Sequence, residues 1–98
     1  MLRGGIGEVK PATPEVQELC NQLKADAEKH SGENYDEFVA LEYKTQVVAG
    51  TNYFIKVCVG SESYIHLRVY QPLPHTKQPP QLSSCQMSKA KHDEISYF

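Results

Sequence analysis

A cysteine and a histidine on neighbouring strands are the parts of a thiol nucleophile with its general base, and Cys58 and His66 fall in that arrangement in this sequence. The pairing lacks a third group to orient the imidazole, and Cys58 sits mid-strand, where a regular ladder gives it no special role. His92-Asp93-Glu94 supplies side chains of metal-ligating type, but adjacent residues in a polar run read as a solvated turn rather than as ligands converging on an ion. No glycine-rich loop follows a strand to cradle a phosphate, and no two carboxylates have a spacing that compels an acid–base reading. The expectation is a protein that is not an enzyme and carries no metal or cofactor.

What remains is the chemistry of contact. The stretch Gln46-Val47-Val48-Ala49-Gly50-Thr51-Asn52 lies between two alternating segments and is predicted to form the tip of a β-hairpin. Side chains in a strand alternate between faces, so two consecutive valines at a tip cannot both enter the core, and at least one faces solvent. A single exposed apolar residue is ordinary, but one beside glycine at a tip is a candidate contact point for another molecule. The plain alternative is an ordinary Gly-containing turn.

The elements that must hold this tip follow from periodicity. Thr13-Pro14-Glu15 is a helix start, with a capping hydroxyl, a proline suited to the first position and an acid at the positive end of the dipole. Val16, Leu19, Cys20, Leu23 and Ala27 then form one apolar stripe, opposite a polar face, until Ser31-Gly32 ends a helix of residues 14–30. From Phe38 the period becomes two. Val39, Leu41, Tyr43, Thr45 and Val47 are predicted to share one face of a first strand, with Ala40, Glu42, Lys44 and Gln46 on the other. A second strand spans 53–59, with Tyr53, Ile55, Val57 and Val59 on one face, and a third spans 64–70, with Ile65, Leu67 and Val69 inward. The segment Gln71 to Pro80 holds four of the six prolines and reads as a stiff exposed loop. Leu82 to Met87 and Ile95 to Phe98 are weaker strand candidates, predicted to make one interrupted edge strand. Hairpin connections imply antiparallel pairing, and up-and-down geometry puts the tip at 48–52 at the same sheet end as the loop at 72–76. The single helix must cover the sheet's apolar face.

Composition narrows the partners. A chain of 98 residues is read as one domain, 1–98, able to bury roughly two-thirds of its unfolded surface without staples. A net charge of -2, with Lys and Arg scattered singly, argues against nucleic acid and against a membrane surface. Cys20, Cys58 and Cys85 cannot all pair within one chain and show no C-x-x-C spacing, which points to a reducing compartment. The first residues lack the apolar run of a signal peptide, so cytosolic residence is expected. Residues 1–11, with three glycines, are expected to begin as a mobile tail.

At this point the residues carry a resemblance. Gln46-Val47-Val48-Ala49-Gly50, extended through Thr51-Asn52-Tyr53-Phe54-Ile55-Lys56-Val57, resembles the hairpin signature of the stefins, or type 1 cystatins. The likeness runs along the chain through Lys10-Pro11-Ala12-Thr13-Pro14, His66-Leu67-Arg68-Val69, Leu73-Pro74-His75 and Lys89-Ala90-Lys91-His92-Asp93-Glu94. It implies an α+β cystatin-like fold, one long N-terminal helix packed on a curved antiparallel sheet of four to five strands. It also implies a reversible, competitive inhibitor of papain-like cysteine proteases, the cathepsins of the L, S, H and B class. In the family three segments enter the protease cleft as a wedge: the tail glycines, here Gly4 or Gly5; the hairpin Gln46, Val47, Val48, Ala49 and Gly50; and the second hairpin, Leu73, Pro74 and His75.

The physical logic is independent of the family. A glycine-bearing tail lies close to a cleft wall where a Cβ would clash, a narrow tip offers a valine to an apolar cleft, and a Pro-stiffened loop loses little entropy on docking. The absence of tryptophan in the second hairpin sets the chain apart from the Pro-Trp pair of the secreted type 2 cystatins. Arg3 stands where some stefins carry a cysteine used for intermolecular disulfides. The expected state is mainly monomeric, with a domain-swapped dimer implied by the resemblance. The competing reading is a non-inhibitory binding module that holds another protein by its tip or sheet edge.

Overall fold

Thr13 and Gly32 bracket the helix in the way their chemistry requires. In the computed structural model, which describes residues 7–60, 62–96 and 98, helix α1 spans Pro14–Ser31. The Thr13 hydroxyl accepts from the Val16 amide at 3.2 Å, and Gly32, left-handed at φ 77°, donates its amide to the Glu28 carbonyl. The predicted stripe of Val16, Leu19, Cys20, Leu23 and Ala27 is the buried face.

Five strands, β1 (Lys10–Pro11), β2 (Val39–Val48), β3 (Gly50–Gly60), β4 (Ser63–Gln71) and β5 (Gln81–Lys89), form one sheet in chain order, every pair antiparallel. The helix stripe packs on Ile55, Val57, Ile65, Leu67 and Val69 from the central strands, with Phe38, Ala40 and Tyr35 closing one side. Fully burying aliphatic side chains of this size stabilises by about 1.5–3 kcal/mol each, and this layer is the main core.

The face predicted for the start of β2 is wrong by one residue. Ala40 pairs with Val57 but Glu42 pairs with Lys56, so Leu41 is the extra residue of a bulge. One inserted residue flips every side chain before it, which turns Ala40 and Phe38 inward and leaves Val39 and Leu41 exposed. The helix helps to fix this geometry: the Gln17 side chain donates to the Phe38 carbonyl and accepts from the Ala40 amide. From the other side the Ala12 amide donates to the Leu41 carbonyl.

The end of the chain also departs from expectation. Residues 95, 96 and 98 do not continue β5; the described residues after Lys89 instead reach the sheet face opposite the helix. That face carries Phe54 and His66, both wholly buried, and Lys56 at 4% exposure. Ile95 is buried there, and Phe98 meets the Phe54 ring edge-on at 5.7 Å. The Arg68 guanidinium donates to the Phe98 carbonyl, and the Lys56 ammonium donates to the Lys91 carbonyl while pairing with Glu42 at 3.1 Å. The path covers these groups and buries Ile95, which favours it over a longer β5. No helix is long and apolar enough to cross a membrane among the described residues.

Candidate functional site

Neither candidate for covalent or metal chemistry forms a working centre. On the sheet Cys58 stands opposite Tyr64 and His66 opposite Lys56, and the Cys58 thiol donates to the Gly60 carbonyl instead of to an imidazole. Both His66 ring nitrogens are buried without a partner among the described residues. Burial pushes the Cys20 thiol up to about 12 and that of Cys85 up to about 11, so both stay protonated near neutrality. Asp93 closes a turn, accepting from the Ala90 amide through its carboxylate and donating its own amide to the Ala90 carbonyl.

The tip is built as a narrow projection. Val48 pairs with Gly50, which leaves Ala49 as the only residue of the turn outside the ladder. Val47 is 81% exposed and Val48 45%. At least one of the two valines was expected to face solvent; both do, one from each side of the hairpin. Gln46 is placed differently from its neighbours: it is buried, and its carbonyl oxygen accepts from the Asn52 amide group at 3.0 Å. Its side chain braces the hairpin and does not project from it.

Gly50 carries a demand that only glycine meets. Its φ is 117°, and a Cβ there would lie 2.6 Å from the Gln71 carbonyl and 3.0 Å from the Tyr70 ring. This close approach puts the first hairpin against the root of the second loop, at the sheet end where both were expected. The second loop leaves β4 through buried Pro72 and presents Leu73 at 39% exposure. A single 3₁₀ turn over Pro74–Thr76 follows, in which the Thr76 amide and hydroxyl both donate to the Leu73 carbonyl. His75 is exposed on that turn.

The third predicted segment, Gly4 and Gly5, lies outside the described residues. Its approach is visible from Gly7 onward. The Gly7 amide donates to the Thr45 carbonyl at 2.8 Å, and Lys10 and Pro11 pair with Tyr43 and Glu42. Going back from Pro11 to Gly7, the chain moves along β2 toward its tip end. Periodicity missed β1 because a two-residue strand with a proline has no alternation to show. It also missed Tyr70, whose hydroxyl donates to the Ala49 carbonyl at the tip; the available signal was a tyrosine of outward parity just ahead of a proline-rich loop.

The sheet thus brings the first tip and the second loop together at one end, and residues 7–11 run along β2 toward that end. A cystatin domain profile matches residues 4–92, across both hairpins and the helix. The chain is 49% identical over 98 residues to Leukocyte cysteine proteinase inhibitor 1 of Sus scrofa, covering all of this chain and 95% of the relative. It is 48% identical to Cystatin-B of Homo sapiens and 49% identical to Cystatin-B of Mus musculus, with full coverage of both chains in each case. A match of this length and level, on a fold of one helix against a five-stranded antiparallel sheet, shows that the chain belongs to the cystatin family, as a stefin-type member.

Proposed function

We propose that this chain, acting as one domain over residues 1–98, is a reversible, competitive, tight-binding inhibitor of papain-like cysteine proteases of the cathepsin class. The observation that carries the reading is the shared sheet end: the exposed Val47 and Val48 and the exposed Leu73 stand on two loops packed against each other through Gly50 and Gln71. Side chains held in this way lose little freedom on entering an apolar cleft. Val47, Val48 and Ala49 make the first contact surface, shaped by buried Gln46 and by Gly50. Leu73, Pro74 and His75 make the second, and the tail at Gly4 or Gly5 makes the third. The likeness to a porcine cysteine proteinase inhibitor supports the class of target.

Nothing at this end of the sheet needs to offer a scissile peptide to the protease thiol, so inhibition is by occlusion, over an interface of about 1,600 Å². The three free thiols, none paired with another, support residence in the reducing cytosol. Titration of papain and of several cathepsins with the intact chain tests the proposal. Activity should fall linearly to zero near one equivalent, and the chain should be recovered uncleaved. Full activity at a hundredfold excess of the chain would leave the binding-module reading in its place.

A further inference from the structure

Ala49 lies where the hairpin ladder ends, so its carbonyl has no strand partner. Tyr70 supplies one from another strand. It stands on β4 opposite Asn52 of β3, and its hydroxyl reaches past the end of β3 to donate to the Ala49 carbonyl. The same ring fills the space that Gly50 leaves by lacking a side chain, since a Cβ at position 50 would come within 3.0 Å of both the ring and its hydroxyl. Hydrogen bond and ring contact are separate observations, and both fasten the first tip to β4. Tyr70 also precedes Gln71 and Pro72, which lead directly into the second loop.

We propose that Tyr70 is a positioning residue for inhibition: its hydroxyl and ring lock the Val48-Ala49-Gly50 tip to the root of the Leu73-Pro74-His75 loop, so that both reach a protease as one preset wedge. The proposal rests on the inhibitory reading given above. A tip tied only to its own two strands sways with the twist of a two-stranded ribbon and must be ordered on docking. Tyr70 removes that motion before the encounter. Its own side chain touches no part of a protease in this scheme and acts through Ala49 and Gly50.

The test is Tyr70→Phe in the full chain, which keeps the ring and removes the donor. Three readouts are needed: association and dissociation rates with papain, the thermal midpoint, and amide exchange at the tip of the free protein. Dissociation should speed up by roughly three- to tenfold, the share of one neutral hydrogen bond, and the Gly50 amide should exchange faster. The midpoint should stay within about 2 °C, because the lost bond lies at a tip that contributes little to the global transition. A dissociation rate within twofold of the unaltered chain's overturns the proposal. So does a midpoint several degrees lower with unchanged exchange at Gly50, which would make Tyr70 an ordinary stabilising contact. If the unaltered chain fails to inhibit papain, the inhibitory reading falls, and tip exchange alone still decides whether Tyr70 holds the hairpins together.

Discussion

His66 is the residue whose surroundings most constrain behaviour in acid. It is wholly buried beneath the C-terminal segment, with no partner for either nitrogen among the described residues. Burial lowers it from 6.5 to about 4, helped by the charges of Lys89 on β5 and Lys56 on β3, and opposed by Asp93 and Glu42. A base held neutral in the folded state takes up fewer protons there than in the unfolded chain between these two values. Stability is therefore fully present above about 6.5, declines as pH falls toward 4, and gains no further loss from this group below that. The drop from 6.5 to about 4 converts to roughly 3 kcal/mol at most. Urea unfolding at pH 7, 5.5 and 4.5 should show the decline in the unaltered chain and a flatter profile in His66→Leu, whose side chain has nothing to protonate. Parallel profiles for the two proteins would clear His66 of the effect. Gln46 owes its environment to a partner across the turn. Its place in the hairpin signature suggested a contact, whereas the Asn52 partner that buries it lies across the turn, and only folding brings that partner near.

Among the elements, the second loop and the C-terminal segment carry opposite expectations for function and stability. Leu73 and His75 project from a turn outside the sheet, so Leu73→Ala with His75→Ala should chiefly raise the protease dissociation rate, by about tenfold, with little change in melting. Sharply reduced stability with inhibition intact would make the loop structural. The C-terminal segment should behave in the opposite way. Ile95 is 2% exposed against the outer sheet face, so Ile95→Ala should cost about 2–4 kcal/mol in denaturant unfolding, while inhibition measured below the transition stays unchanged. A loss below 1 kcal/mol would show that the segment is not anchored there. The helix and the three central strands were legible because their apolar periods of 3.6 and 2 are long and unbroken. The bulge at Leu41 was not, because a single inserted residue leaves the sequence alternating while the pairing shifts. The C-terminal segment was read as a strand because Ile95 to Phe98 has strand-like residues; its real partner, the face bearing Phe54 and His66, appears only once β3 and β4 are paired.

In the molecule as a whole, the tip proposed to dock is also the joint between two halves. β1, α1 and β2 lie before Ala49 in the chain, and β3, β4 and β5 lie after it. The halves are held together by the β2–β3 ladder and by the packing of α1 on the central strands, all of which a second copy can supply in identical form. Straightening the turn gives up little within one chain, the Val48–Gly50 pair and the Tyr70 hydrogen bond, and it frees Gly50 from its left-handed φ of 117°. An exchange of halves between two chains is therefore close to neutral in contacts, and is opposed by association entropy and by the unfolding needed to reach it. Mild heating or partial denaturation at high protein concentration should then yield a dimer that survives reducing agent, because no disulfide links it. In that dimer β2 runs straight into β3, and Val47 and Val48 no longer crown a tip. Such a dimer should not inhibit papain, and returning it to monomer should restore inhibition. Size-exclusion chromatography with papain titration of each peak measures both properties. A dimer as inhibitory per chain as the monomer would mean that the turn at Ala49 stays closed, so that the exchange uses another joint or the tip is not what the protease binds.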